Sequence, residues 1–144
     1  MKKYYFFTLV LTLFFSVLSF AQNPSDLLIT EITDPQNYST SGRYVEIYNS
    51  GTQDIDLSTG YALVRWTNAS TTITSSGTAN LTGIIPAGGF YVVCNSATKF
   101  LATYGVAASQ SIGTGGPADS NGDDNIALLA PDGSIMDMFG VPGE

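Results

Sequence analysis

The stretch Tyr44-Val-Glu-Ile-Tyr-Asn-Ser-Gly51 decides the fold. Successive side chains of a strand point to opposite sides, so Val45 and Ile47 share one face and Tyr44, Glu46 and Tyr48 the other. A run of β-branched and aromatic residues that ends in Asn-Ser-Gly reads as a strand followed by a turn. The same pattern recurs in Ile85-Pro-Ala-Gly-Gly-Phe-Tyr-Val-Val93 and in Asn121-Gly-Asp-Asp-Asn-Ile-Ala-Leu-Leu129. Three such phrases spell an all-β sandwich, which disfavours most catalytic scaffolds and points to a binding or display module.

Working outward, Asp26 to Thr33 is a strand with Leu28 and Ile32 on one face and Leu27 and Ile29 on the other. Asp34-Pro35 stops it, because proline removes a ladder donor and restricts the residue before it. A polar loop, 36–42, leads into Arg43. Ile55-Asp-Leu57 is a short bridging segment. Tyr61 to Thr67 is a full strand with Leu63 and Arg65 opposite Val64 and Trp66. Thr71 to Ser76 and Leu81 to Ile85 read as weaker edge strands. Pro86-Ala-Gly-Gly89 turns the chain into the strand Phe90 to Asn95. Ala97 to Tyr104 alone has helical spacing, pairing Phe100 with Tyr104. Residues 105–122 read as a flexible connection; its Ile112-Gly-Thr-Gly-Gly-Pro117 lacks the lysine and strand-to-helix context of a phosphate loop. Asp124 to Ala130 and Ser134 to Phe139 form a hairpin across Pro131-Asp-Gly133.

Residues 1–21 are set apart. Lys2 and Lys3 precede the uncharged run Tyr4 to Phe20, and Ser19-Phe20-Ala21 offers a cleavage site, so a signal peptide removed after Ala21 is expected. A membrane span is not expected after cleavage, and the chain is expected to be secreted or displayed at the cell surface. Residues 22–144 are one domain's length. They carry three basic residues (Arg43, Arg65, Lys99) against twelve acidic ones, a net charge of −9. That charge disfavours direct nucleic-acid binding and suits cations or basic partners. Cys94 is the one cysteine, so no intrachain disulfide forms, and its apolar strand predicts a buried thiol.

In this order the strands resemble the lamin-tail domain family, a small immunoglobulin-like β-sandwich common in exported bacterial proteins. The resemblance rests on Ile29-Thr-Glu-Ile32, Tyr44-Val-Glu-Ile-Tyr-Asn-Ser-Gly51, Asp56-Leu-Ser-Thr-Gly-Tyr61, Pro86-Ala-Gly-Gly-Phe-Tyr-Val-Val93, Gly122-Asp-Asp-Asn-Ile-Ala-Leu128 and Ile135-Met-Asp137. It covers nearly all of Leu27 to Gly140. Thr59 is an insertion in the Asp-Leu-Ser-Gly segment, and Met136 replaces an aliphatic residue. The resemblance implies an immunoglobulin-like fold and leaves the function of its bacterial versions mostly unassigned. Such domains commonly accompany a hydrolase, adhesive repeats or a sorting segment, so the chain is expected to be a fragment or one module of a larger design.

The inventory of reactive side chains disfavours catalysis. With no histidine, Ser-His and Cys-His pairs and imidazole metal sites are excluded. Glu31 and Glu46 are nominal carboxylates for glycoside hydrolysis, but both fall within strands. Asp119, Asn121, Asp123 and Asp124 are the candidate metal ligands, because Ca²⁺ takes about six to eight oxygens. Asp124 stands where an EF-hand loop has glycine and Ala130 where it has glutamate, so that motif is excluded. A metal-free turn opening the last hairpin accounts for the same residues, and no cofactor is required. Tyr38, Tyr44, Tyr48, Tyr61 and Trp66 are candidates for a sugar-stacking platform, against the plainer reading as packing. The expectation is a non-catalytic exported module that attaches to a protein or cell-surface partner. The alternatives are a Ca²⁺-dependent or carbohydrate-binding surface module, or an accessory domain of a larger hydrolase.

Overall fold

A computed structural model describes residues 26–34 and 42–144; the expected signal segment and Tyr38 lie outside them. In chain order the elements are strands β1 (Leu27–Thr33), β2 (Tyr44–Asn49), β3 (Ile55–Asp56), β4 (Ala62–Trp66), β5 (Thr78–Asn80), β6 (Ile84–Ile85) and β7 (Phe90–Cys94). Helix α1 (Ala97–Tyr104) follows, then β8 (Gln110–Ser111), β9 (Asn125–Leu129) and β10 (Ile135–Phe139). One sheet runs β1-β2-β7-β8 and the other β10-β9-β4-β5, with β3 and β6 as a small ribbon. Pairing is antiparallel except between β7 and β8.

The core lies between the two sheets and follows the two-residue period. Val45 and Ile47 from β2 and Val93 from β7 meet Leu63 from β4 and Ile126 and Leu128 from β9. Tyr44, Glu46 and Tyr48 project from the outer side of β2 and are half-buried. On the second sheet Val64, Trp66 and Ala127 form a separate buried cluster, with Leu129 and Met138 packed against it. Cys94 is buried, as its strand predicts.

Three sequence expectations change. β1 carries a bulge: its register with β2 slips between Ile29 and Glu31, so Ile29 and Ile32 both pack on the core while Leu28 stays outside. A bulge of one residue reverses the alternation beyond it. Residues 71–76 are turn and coil rather than a strand, and the second sheet's edge begins at Thr78. Thr74 and Gly77 return to β4 through Thr74 N–H to Arg65 O (3.0 Å) and Arg65 N–H to Gly77 O (2.7 Å). The segment before β9, expected to be flexible, contains buried Pro117 and Ala118, and Ala118 belongs to the core.

Single side chains close both flanks of the sandwich. On one flank the Ile29 N–H, beside the bulge, donates to Asp137 Oδ2 at 2.7 Å, tying β1 to β10. On the other, Gln110 Nε2 donates to Asn80 O at 2.9 Å and Oε1 accepts from Thr82 N and the Tyr91 hydroxyl.

Asn49 organises the end of the sandwich where β2 leaves the sheet. Its side chain is fully buried. Nδ2 donates to the carbonyls of Gln53, Ile85 and Pro86 at 2.8, 3.2 and 3.1 Å, and Oδ1 accepts from Gly51 N at 3.0 Å. Its main chain bonds Gly88 and Gly89 in the Pro86–Gly89 turn. The motif asparagine therefore satisfies two turns at once. Asn49→Ala is expected to cost about 3 kcal/mol or more, since each buried polar group left unpaired costs roughly 1–3 kcal/mol. Urea unfolding measures it. Asn80→Ala, an exposed side chain, should fall within about 0.5 kcal/mol of the parent.

Candidate functional site

At the opposite end of the sandwich two buried arginines, one from each sheet, hold the segment before β9. Arg43, just ahead of β2, places Nε 3.1 Å from Asp34 Oδ1. Its Nη1 donates to the Asp119 carbonyl at 3.0 Å and lies 3.4 Å from Asp119 Oδ1. Asn95 Nδ2 and Gly115 N–H also donate to the Asp119 carboxylate, each at 2.8 Å. Arg65, on β4, sets Nη1 3.3 Å from Asp124 Oδ2 and donates from Nη2 to Gly115 O at 2.8 Å. Asp124 Oδ1 accepts from Asn68 N–H at 3.1 Å. The chain between Gly115 and Asp124 is thus a fixed cap, bonded to both sheets.

This geometry divides the four residues expected as metal ligands. Asp119 and Asp124 turn inward onto the guanidinium groups of Arg43 and Arg65, while Asn121 and Asp123 are exposed. Among the described residues, no three aspartate, glutamate, cysteine or histidine side chains gather as a metal cluster. An ion reached by all four residues would have to part both ion pairs. The sequence signal for this arrangement was the placement of the arginines at apolar strands. Their partners in the cap, 76 and 59 residues away in the chain, had no local signature, whereas Asp34 lies nine residues before Arg43.

The expected aromatic platform is also divided. Tyr61 and Trp66 are each only 8% exposed. Tyr44 meets Phe100 and Tyr104 of α1 edge-on, with ring centroids 5.4 Å away in both cases. Burial raises the Tyr44 and Tyr104 hydroxyls above the usual tyrosine range; the nearby Glu31 charge adds to the shift, and a Thr33 hydrogen bond opposes it at Tyr44. Tyr48 stacks obliquely on Phe90 at 4.8 Å.

What stays open is one half of the outer face of the β1-β2-β7 sheet. α1 covers the half around Tyr44. Beyond it Leu28, Tyr48 and Phe90 form one row across three strands, and Glu31, Glu46 and Val92 form the next. Leu28 and Phe90 are 38% and 57% exposed. Glu31 and Glu46 sit side by side on neighbouring strands, not across a cleft from one another. An inverting or retaining glycosidase instead needs its carboxyls to flank the scissile bond.

Two packed sheets with their core between them define an immunoglobulin-like β-sandwich. The chain belongs to the Lamin Tail Domain family, whose model matches residues 21–143. No curated protein matches it.

The arginine end makes a specific energetic prediction. Asp124→Ala should destabilise the fold by about 3–5 kcal/mol, because it strands a buried guanidinium. Arg65 Nε is buried and meets no acceptor among the described residues, so the pair is incompletely compensated. The double replacement Arg65→Met/Asp124→Leu should therefore cost less than Asp124→Ala alone. Chemical denaturation of the parent, the two singles and the double variant provides the check.

Proposed function

We propose that the protein is a non-catalytic, exported interaction or attachment module that binds a protein or cell-surface partner through a fixed surface. The observation that carries this reading is the unequal covering of the two sheets. The outer face of the second sheet buries Val64, Trp66 and Ala127 and exposes Ile135 at its β10 edge, whereas the outer face of the first leaves Leu28 and Phe90 in solvent beside Tyr48, in one row across three strands. Large apolar side chains gathered on a rigid face characterise interaction surfaces. The basic start and uncharged run of residues 1–21 support export. Family membership supports a sandwich without enzymatic machinery.

A photocrosslinking amino acid placed in turn at Phe90, Ile84 and Val141, all exposed, tests this reading in the producing cells. The module reading expects a discrete protein or envelope adduct from at least one position. Absence of adducts from all three would count against it.

We further propose that the module works without a resident cation, because Asp119 and Asp124 are already neutralised by arginines. Melting curves in excess EDTA and in about 1 mM Ca²⁺ should coincide. A site with Kd near ~10 μM would instead add roughly 2.7 kcal/mol by mass action. A Ca²⁺-selective rise abolished by Asp123→Ala would overturn this reading and favour a Ca²⁺-dependent module.

A further inference from the structure

We propose that the open half of the β1-β2-β7 face receives an extended basic segment of a protein partner, with alternating cationic and apolar side chains. The proposal rests on the interaction-module reading and names the chemistry of its partner. Its basis is the pairing of an apolar row with an uncompensated acidic one. Leu28, Tyr48 and Phe90 are register partners across three strands, and the Tyr48 and Phe90 rings are in contact. The adjacent row sets Glu31 directly opposite Glu46.

Like charges at facing positions of an antiparallel pair destabilise it. Neither glutamate has a cation within salt-bridge distance among the described residues; the ion pairs there are those of Arg43 and Arg65. The carboxylates meet neutral hydroxyls instead: Thr33 on Glu31 at 3.3 Å, with the Tyr44 hydroxyl also beside Glu31, and Thr30 on Glu46 at 2.8 Å. Both arginines of residues 22–144 are buried at the cap and the exposed Lys99 lies on α1, within a segment whose net charge is −9.

The two rows lie two residues apart along β2 and β7, about 7 Å, and three along β1, where the bulge adds one. A partner in extended conformation places residues i+1 and i+3 on the same side at that spacing. One such residue, apolar, would rest on the Tyr48–Phe90 pair, and the next, lysine or arginine, would lie between Glu31 and Glu46. The far side is bounded by α1, where Phe100 and Tyr104 already occupy Tyr44. A second copy of this chain is a poor occupant, since it would bring like acidic surfaces together.

The test measures fluorescence anisotropy of labelled peptides against the purified chain. A suitable probe places Lys and Val on one side, as in Lys-Ser-Val-Ser repeats. Its comparisons are Lys-Ser-Ser-Ser repeats, which lack the apolar residue, and Glu-Ser-Val-Ser repeats, which reverse the charge. The Lys/Val probe should bind most tightly and weaken with salt. Glu31→Gln/Glu46→Gln should weaken it by about tenfold, corresponding to two exposed charge contacts, and Phe90→Ser should weaken it as well. Asp123→Asn/Glu144→Gln removes the same charge at other exposed positions and should leave binding within about twofold.

Equal weakening by both double variants would overturn the proposal in favour of general charge attraction. Preference for the acidic probe, absence of binding, or self-association abolished by Phe90→Ser would also overturn it. The crosslinking positions separate this failure from that of the broader reading. Adducts from Val141 or Ile84 without any from Phe90 would contradict this face while sustaining an interaction module.

Discussion

Two buried guanidinium groups determine how this sandwich ends. A β-sandwich leaves loops at both ends, and a long segment rich in glycine has a high entropic cost to order. Arg43 from the first sheet and Arg65 from the second meet that cost with charge-assisted hydrogen bonds to Asp119, Asp124 and the Gly115 carbonyl. Buried ion pairs stabilise little by themselves relative to apolar packing, but breaking one leaves an uncompensated charge. Their effect here is to specify one position for the cap, which brings Ala118 onto the core.

The remaining boundaries follow the same rule with neutral or singly charged groups. Asn49 satisfies the turns at the opposite end, Asp137 accepts the amide beside the β1 bulge, and Gln110 bridges the β5 side. Each meets main-chain groups that the sheet ladders leave over, as buried backbone polar groups require. Apolar burial supplies the driving force in the middle, while these few polar side chains fix the perimeter. A surface fixed in this way is suited to presenting a preorganised face, because little ordering remains to be done on binding.

The strand alternation was legible in the sequence wherever the neighbouring strand was regular. Val45 and Ile47, and Leu63 opposite Val64, lie where a two-residue period puts them. Ile32 does not, since the β1 bulge reverses the period, and Asp137, which accepts the Ile29 amide, lies 108 residues downstream. The residues 71–76 have strand-like threonines but spend their main-chain bonds on a loop returning to Arg65. At the acidic loop the residue types suggested candidate metal ligands. The cations facing Asp119 and Asp124 are the chain's own arginines, a long-range pairing that local spacing does not encode. The open face was likewise hidden, because which apolar side chains α1 covers depends on where the helix packs.

Amide hydrogen exchange over the cap tests the central claim most directly. The Gly115 amide donates to Asp119 and the Asn68 amide to Asp124. If the arginine pairs fix the cap, both amides should be protected to within about tenfold of the β9 core amides, and Asp124→Ala should release them selectively. Exchange at the rate of an open loop in the parent chain, unchanged by Asp124→Ala, would contradict the account.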